Sequence, residues 1–444
     1  MDEILRRYAE VQVPRYTSYP TAAEFTPAVG ATDQRRWLRE LDTSEAVSVY
    51  LHVPYCRDLC LYCGCNTKKA VRDDVIASYR VALEREIALV GDALSGPLRI
   101  ARLHWGGGTP SILGGEGLAS VLRVLRRHFL LEDGCEHAIE LDPRYVTPVL
   151  AECLKDLGIN RVSLGVQDVN PLVQAAIGRW QPMRDVEAAV SRLRAADIGN
   201  LNFDLIYGLP LQSIASLRST CEIVARLSPD RVACYGYAHM PALRANQRRI
   251  DEKTLPALEQ RIEQAAAIAE EFLRRGYLKI GIDHFAKPDD ALSRAARAGQ
   301  LHRNFQGYTD DARETLIGFG ASAISRFGNG YVQNISDVPA FVRAISGGGL
   351  ATARGCRLDS AERQRARTIE SLMCRFEVDL DITAPDMEFV EELTLLQPLV
   401  RDGLVRLQGR VVTATDAGRQ VVRVIAAVFD PHTRRHAARF SRAV

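Results

Sequence analysis

Short apolar runs rich in β-branched residues alternate with longer amphipathic runs from about residue 46 to about residue 290. The predicted strands are Val47–Val53, Ile100–Trp105, Ala138–Leu141, Arg161–Val166, Asn202–Ile206, Arg231–Tyr237 and Lys279–Ile282. The predicted helices between them include Val75–Val90, Gly117–Phe129, Pro148–Leu157 and Val186–Ala196. Such alternation predicts a parallel sheet covered by helices, which both a doubly wound sheet and a β/α barrel satisfy.

Polar or glycine-rich residues follow the predicted strands. They include Gly106–Thr109, Glu140, Gln167 and Asp204. In parallel α/β folds the carboxyl ends of the strands form the edge where ligands bind. A full or partial barrel brings those ends to one rim, whereas a flat sheet would spread them. The pattern therefore favours a barrel with a site at its rim.

Four cysteines fall within ten residues, at Cys56, Cys60, Cys63 and Cys65. The first three have the spacing C-x3-C-x2-C and follow the first predicted strand. A structural zinc site usually takes two C-x2-C pairs separated by a dozen or more residues, and no second pair follows here. Three thiolates can instead hold a four-iron cluster and leave one iron open for chemistry. The spacing favours an iron–sulfur cluster over zinc.

The composition limits the classes of function. The chain has 444 residues, of which 47% are hydrophobic and 25% charged, and its net charge is +2. A charge so close to zero predicts neither a nucleic-acid partner nor an anionic membrane partner. No apolar stretch is long enough to span a bilayer, and the chain begins without an apolar leader. We therefore expect a cytoplasmic protein with reduced thiols.

The pattern divides the chain into three parts. Residues 1–45 form an N-terminal segment expected to cover the active site, and residues 46–345 form the barrel with a cap loop. The cap is the glycine- and aromatic-rich segment 301–330, which is expected to be rich in loops. Residues 346–444 indicate a mostly helical domain whose end resembles a helix followed by a small β wing. Winged helices often bind DNA, but the overall charge favours a packing role here.

The glycine run at 106–108 is a second motif that makes the cysteine spacing more specific. Glycine lets the backbone approach a ligand without a Cβ in the way, although a lone glycine run is also typical of a tight turn. Together with C-x3-C-x2-C, it resembles the radical S-adenosylmethionine (SAM) superfamily. The resemblance implies an α/β fold with a partial (β/α)6-type TIM-like barrel. It also implies a [4Fe-4S] cluster held by Cys56, Cys60 and Cys63, whose open iron chelates SAM.

A narrower resemblance covers almost the whole chain. The segments that carry it are Pro14–Thr21, Tyr62–Asn66, Gly165–Asp168, Phe203–Pro210, Tyr237–Met240, Ile282–Ala286 and Leu301–Tyr308. They resemble the family of oxygen-independent coproporphyrinogen III dehydrogenases (oxidases). This implies anaerobic oxidative decarboxylation of two propionate side chains of coproporphyrinogen III to vinyl groups, giving protoporphyrinogen IX. A 5′-deoxyadenosyl radical from SAM would carry the difficult hydrogen abstraction.

Individual residues take roles on the same resemblance. Cys65 matches a further cysteine that activity requires but that does not hold the cluster. The residues that match contacts to a first SAM molecule are Tyr50, Tyr62, Gly107, Glu140 and Ile324. The residues that match contacts to a second SAM molecule are Gly108, Thr109, Gln167, Arg179, Asp204 and Ala238. Taken singly, several of these polar residues have ordinary structural explanations, and their joint appearance favours the cofactor contacts. The family usually has Phe at position 62, and either ring can stack on adenine.

The resemblance also implies partners. The substrate would be coproporphyrinogen III, the reductant an electron donor such as flavodoxin or ferredoxin, and the protein a monomer. Candidate cations for the substrate carboxylates are Arg15, Arg184 and Arg303. One alternative is a haem chaperone of the same fold without dehydrogenase activity, which typically lacks the counterparts of Cys65 and of residues 15–20. Another is a metal-sensing regulator that binds DNA, which the small net charge disfavours.

Overall fold

A computed structural model describes residues 3–433 and 442–443 of the chain. The remaining residues, 1–2, 434–441 and 444, belong to the expected N-terminal segment and C-terminal domain and lie outside the described residues. The strands are β1 (Ala46–Val53), β2 (Tyr55–Cys56), β3 (Lys68–Lys69), β4 (Leu98–Gly107), β5 (Phe129–Leu141), β6 (Arg161–Gln167), β7 (Asn200–Tyr207), β8 (Arg231–Gly236), β9 (Leu278–Ile280), β10 (His284–Ala286), β11 (His302–Asn304), β12 (Gly307–Thr309), β13 (Leu316–Phe319), β14 (Ile324–Phe327), β15 (Gly330–Asn334), β16 (Thr352–Arg357), β17 (Glu377–Asp379), β18 (Val405–Gln408) and β19 (Val411–Ala414). The α-helices are α1 (Glu3–Ala9), α2 (Ala31–Arg39), α3 (Asp73–Gly91), α4 (Gly114–His128), α5 (Pro148–Asp156), α6 (Pro171–Ala176), α7 (Met183–Ala195), α8 (Ile214–Arg226), α9 (Leu258–Arg274), α10 (Ala291–Arg297), α11 (Val338–Ser346), α12 (Ser360–Arg375), α13 (Leu380–Thr383), α14 (Val390–Leu395), α15 (Gln397–Arg401), α16 (Asp416–Arg419) and α17 (Val422–Ala427).

One sheet of twelve strands carries most of the fold, in the order β16-β15-β14-β13-β1-β4-β5-β6-β7-β8-β10-β9. The seven strands from β13 to β8 run parallel, and the strands at both edges pair antiparallel. Each of β1, β4, β5, β6, β7 and β8 is followed by at least one helix. Among the described residues the edge strands β16 and β9 do not pair with each other. The expected α/β class and partial (β/α)6-type barrel are therefore confirmed.

The parallel strands bury apolar side chains against the helices and direct polar ones into the barrel. In β1, Val47, Val49, Leu51 and Val53 belong to the hydrophobic core. The intervening Ser48, Tyr50 and His52 line an interior cavity. This period of two follows from the pleat of a strand. An interior lined by polar side chains predicts a ligand site rather than a packed core.

Ion pairs fill the end of the barrel opposite the glycine run. Glu136 accepts from Arg102 at 2.7 Å and from Arg161 at 2.9 Å, and Arg231 pairs with Asp290 at 2.7 Å. Burial alone would raise the pKa of Glu136, but the charges of Arg161 and Arg102 bring it to about 2. Arg161 and Arg231 are the first residues of β6 and β8. The cavity is therefore open for ligands at the other end, where the strands terminate.

Most predicted strands are confirmed within a few residues, but the predicted start of one strand is wrong. The strand expected at Ala138–Leu141 begins at Phe129, because β5 continues through Glu132, Asp133 and Gly134, which interrupt its apolar pattern. The segment 301–330 is rich in loops but also contains strands. It contains the β11–β12 hairpin and then β13, which joins the main sheet beside β1. The strand expected at Lys279–Ile282 is the shorter β9.

The C-terminal part has its own core. Residues from α12 to α17 form a second hydrophobic cluster, and Tyr16 and Tyr19 from the N-terminal segment belong to it. The strands β17, β19 and β18 form a small separate sheet at this end. Strand β16 lies beyond residue 345 in sequence yet pairs with β15 in the main sheet. Within residues 3–433 and 442–443, no helix is both long and apolar enough to cross a membrane.

Candidate active site

The loop that carries the cysteines follows β1 and β2 at the open end of the barrel. Cys60 is buried, Cys56 and Cys63 are partly buried, and Cys65 is exposed. Two consecutive residues far along the chain hold this loop in place. The Asn246 side-chain amide donates to the carbonyls of Cys60, Leu61 and Cys63 at 2.9–3.1 Å. Gln247 donates to the Tyr62 carbonyl at 2.8 Å. The backbone of the loop is therefore fixed by hydrogen bonds from outside it.

Each of the three expected cluster ligands has a separate polar neighbour at its sulfur. The Thr109 hydroxyl donates to Cys56 Sγ at 3.6 Å, Arg179 Nη1 donates to Cys60 Sγ at 3.4 Å, and Thr67 Oγ1 lies 3.6 Å from Cys63 Sγ. Hydrogen bonds to sulfur stabilise thiolates and tune clusters, so these cysteines fit an iron–sulfur cluster. Across the part of the chain that the structure describes, no three His, Cys, Asp or Glu side chains are grouped to hold a single metal ion.

The glycine run packs the end of β4 directly against the start of the cysteine loop. A Cβ on Gly107 would lie 2.5 Å from the His52 ring, and φ there is +108°. A Cβ on Gly108 would lie 2.4 Å from the Tyr55 carbonyl oxygen. The amide of Thr109 donates to that same carbonyl at 2.8 Å. Glycine is thus required here by close packing and, at position 107, also by backbone conformation.

Glu140 is one of the polar side chains that line the interior of the barrel. It accepts the Gly107 amide at 3.1 Å and a hydrogen bond with His104 Nε2 at 3.0 Å. Burial alone would raise the pKa of Glu140, but the hydrogen bonds from His104 and Gly107 hold it below its usual value. The carboxylate therefore keeps its charge inside the barrel, where it can bind a cationic or hydroxyl group.

A cavity of about 480 Å³ occupies the barrel interior. Six residues proposed from the sequence line it: Tyr50, Cys65, Gly107, Glu140, Asp204 and Ile324. Asp204 is fixed by Ser163 Oγ at 2.8 Å and Asn202 Nδ2 at 2.9 Å, and burial raises its pKa to about 6. The structure therefore brings together residues that are 274 positions apart in the chain (50 and 324).

The other expected SAM contacts lie around the cavity rather than in its wall. Gly108, Thr109, Gln167 and Ala238 lie at strand ends, whereas Tyr62 lies in the cysteine loop and Arg179 lies between α6 and α7. Arg179 is buried and donates to the Gly165 carbonyl at 2.7 Å while pairing with Asp142 at 3.2 Å. Gln167 ends β6 with φ at +66°. Tyr62 packs beside a small apolar cluster that contains Ile177 and Leu209.

The candidate cations differ in their surroundings. Arg303 is buried and donates to the carbonyls of Tyr16 at 3.1 Å and Arg15 at 3.4 Å. Arg15 in turn donates to the Gly236 carbonyl at 2.9 Å. Arg184 is 84% exposed and lies 3.8 Å from its neighbour Asp185. Arg15 and Arg303 thus lie where the N-terminal segment meets the barrel, whereas Arg184 has the contacts of an ordinary surface residue.

Sequence reasoning missed several residues of this site. His52 and Tyr235 line the cavity, and Asn246 and Gln247 bind the cysteine loop, but none of the four was predicted. The two ring residues on β1 and β8 occupy inward positions of their strands, so the period of two could have identified them. Nothing in the sequence links Asn246 to the cysteine loop, because some 180 residues separate them.

Comparison with known families places the site in a class. Residues 50–224, which include the cysteine loop and the glycine run, match the model of the radical SAM superfamily. The open barrel, the three cysteines with polar neighbours and the packed glycine run define a radical SAM protein.

Comparison with individual proteins narrows the class. The chain is 44% identical over 431 residues to a Bradyrhizobium diazoefficiens protein named oxygen-independent coproporphyrinogen III oxidase, covering 96% of both chains. It is 41% identical to the protein of that name from Paracoccus denitrificans, covering 95% of this chain and 94% of that protein. A solved structure of the Escherichia coli coproporphyrinogen III oxidase, described as a radical SAM enzyme, matches with a TM-score of 0.90 and 36% identity, covering 95% of this chain and all of that one. The chain belongs to the family of oxygen-independent coproporphyrinogen III oxidases.

Proposed function

We propose that this chain is an oxygen-independent coproporphyrinogen III dehydrogenase. It decarboxylates two propionate side chains of coproporphyrinogen III oxidatively to vinyl groups and yields protoporphyrinogen IX without oxygen. The observation that carries this proposal is the alignment with relatives of that name over nearly the full length, N-terminal and C-terminal parts included. The retained cysteine loop and the polar cavity support the same conclusion.

The chain's own residues position cofactor and substrate. Cys56, Cys60 and Cys63 would hold the [4Fe-4S] cluster, with their sulfurs stabilised by Thr109, Arg179 and Thr67. When bound, the cluster and SAM supply the radical chemistry that removes an unactivated hydrogen, which side-chain acids and bases cannot do. The residues that would contact this SAM are Tyr50, Tyr62, Gly107, Glu140 and Ile324. The negative charge of Glu140 is suited to a cationic amino group.

A second SAM molecule forms part of the proposal. The residues that would contact it are Gly108, Thr109, Gln167, Arg179, Asp204 and Ala238. Asp204 supports this role because it is a fixed carboxylate in the cavity wall, held by Ser163 and Asn202. Arg179 has a further function, since it also binds Asp142 and the Cys60 sulfur and so connects this region to the cysteine loop.

Cys65 is proposed as a residue of the reaction rather than a cluster ligand. It is exposed at the loop and lines the same cavity as Glu140 and Asp204. Its thiol can therefore reach a bound substrate.

The proposal also includes an electron donor such as flavodoxin or ferredoxin, a monomeric state, a cytoplasmic location, and no nucleic-acid or membrane partner.

Anaerobic assay of the purified, iron-reconstituted protein tests the function. With SAM and a chemical reductant, we expect coproporphyrinogen III to give the vinyl product, detected by porphyrin fluorescence after oxidation and chromatographic separation. A haem chaperone of the same fold would instead retain haem and leave the substrate unchanged. That outcome would overturn the proposal and favour the chaperone.

A further inference from the structure

An arginine from α9 lies across the open ends of two barrel strands. A Cβ on Gly208, which follows β7, would lie 3.4 Å from Arg261 Cζ, and one on Gly236, at the end of β8, would lie 3.2 Å from Arg261 Nη2. The guanidinium therefore occupies space that side chains at these two glycines would fill. In parallel barrels this end of the strands is the ligand-binding rim.

Arg261 has no acidic partner among the described residues. Its guanidinium makes neither a hydrogen bond nor an ion pair within residues 3–433 and 442–443, and its Nε is buried without a partner. Burial and the charges of Arg15 and Arg442 lower the pKa of Arg261. A partly buried cation without a counter-charge is costly, so its retention points to an anion that is bound in the working protein.

A second arginine reaches the same strand end from the N-terminal segment. Arg15 is exposed and donates to the Gly236 carbonyl at 2.9 Å. Behind it, Arg303 is buried, and its Nη1 has no hydrogen-bond partner within the described part of the chain. The carboxylate of Asp283 hydrogen-bonds His284 at 2.7 Å, and its charge also acts on Arg15 and Arg303. Arg15, Arg261 and Arg303 outnumber this one carboxylate, so the net charge of the region is positive.

This positive region adjoins the cavity. Tyr235, the residue before Gly236, lines the cavity wall. Arg15 and Arg261 do not line the cavity itself but lie at Gly236, one residue further along β8, so a ligand contacts them only where it extends out of the cavity beyond this strand end. Guanidinium groups bind carboxylates with paired hydrogen bonds of favourable geometry.

We propose that Arg15 and Arg261 form a carboxylate subsite that holds a propionate side chain of the substrate while another propionate reacts. This inference rests on the proposed function for the identity of the carboxylate. The subsite fixes the macrocycle at a distance from the reacting carbon. It thereby helps to determine which propionate side chain of the substrate lies in the cavity.

Binding of coproporphyrin III, the oxidised and unreactive form of the substrate, tests the subsite. The holoenzyme is titrated under anaerobic conditions, and the dissociation constant is read from protein fluorescence quenching at several KCl concentrations. Loss of a charge-assisted hydrogen bond is expected to raise this constant about tenfold in Arg261→Gln and in Arg15→Gln. Both variants should also show a weaker dependence on KCl. Arg261→Lys, which keeps the charge, should recover part of the affinity.

Arg226→Gln is the matched control, because Arg226 is an exposed arginine at the end of α8, which leads to the start of β8 and so lies at the opposite end of that strand from Gly236. It should bind like the wild type. If Arg15→Gln and Arg261→Gln keep the wild-type affinity and KCl dependence, the subsite is refuted. If Arg261→Gln folds poorly, Arg15→Gln still tests the subsite, because Arg15 is exposed and its substitution should not disturb folding. Failure of wild-type protein to convert coproporphyrinogen III would instead refute the proposed function, so the two failures are distinguishable.

Discussion

Glu86 is a buried carboxyl group behind the cavity wall, and the effect of its titration on stability can be tested quantitatively. It is 2% exposed, and it accepts the Gly320 amide and the Asn334 side-chain amide, both at 2.6 Å. Gly320 begins the turn between β13 and β14, and Ile324 beyond it lines the cavity. Burial raises the pKa of Glu86 from its ordinary 4.5 to about 8. The residue therefore couples protonation to the stability of this wall.

The sign of the effect follows from proton binding. Between pH 4.5 and about 8, the unfolded chain releases the Glu86 proton whereas the folded protein retains it. The free energy of unfolding therefore falls as pH rises through this interval and levels off above it. From pH 5 to pH 8, the loss attributable to Glu86 is about 3 to 4 kcal/mol. Well below pH 4.5 the contribution is constant, because Glu86 is then protonated in both states.

Glu86→Gln removes this titration. The amide keeps one acceptor and loses one hydrogen bond, which costs about 1 to 3 kcal/mol at every pH. We expect the stability difference between wild type and variant to shrink or reverse from pH 5 to pH 8. Anaerobic urea denaturation followed by tryptophan fluorescence at several pH values measures this difference. Glu187→Gln, an exposed carboxylate, is the control and should follow the wild type. Parallel pH dependence of Glu86→Gln and wild type would refute the reasoning.

Further outcomes concern the cysteines and the glycine run. Cys65→Ser should retain iron and sulfide but lose turnover; retained turnover would remove Cys65 from the reaction. Gly107→Ala should weaken SAM binding about tenfold or more in equilibrium dialysis, because a Cβ would meet His52 at 2.5 Å and φ is +108°. Gly199→Ala, where a Cβ meets nothing within 4 Å, should bind SAM normally. Equal binding by the two glycine variants would show that the close packing at 107 does not shape the site.

The sequence predicts local features of this protein well and distant contacts poorly. Strands such as β1 and β6 were located because their apolar residues recur in an uninterrupted run or at period two. Strand β13 was not, since four residues with a glycine among them carry little pattern. Its place beside β1 depends on a pairing between segments more than 260 residues apart. Propensity over a short window cannot encode such a pairing.

The candidate site divides in the same way. Spacing identified the cysteine loop and the glycine run because the chemistry requires these residues close together in sequence. The positions of Asn246 and Arg261 could not be predicted, because Asn246 binds the backbone of a distant loop and Arg261 lies beside glycines of two other strand ends. The burial of Glu86 could have been predicted from the sequence, because it lies between Leu83 and Ile87 on the core-facing side of α3. Only the folded structure shows which amides it binds.

The central claim is that three cysteines of one loop hold a cluster with an open iron that binds SAM. The most direct measurement is the electron paramagnetic resonance spectrum of the reduced, reconstituted protein with and without SAM, together with its iron and sulfide content. We predict about four irons and four sulfides per chain and a spectrum that changes when SAM is added. Protein that holds zinc without sulfide, or a cluster whose spectrum does not change when SAM is added, would contradict the account.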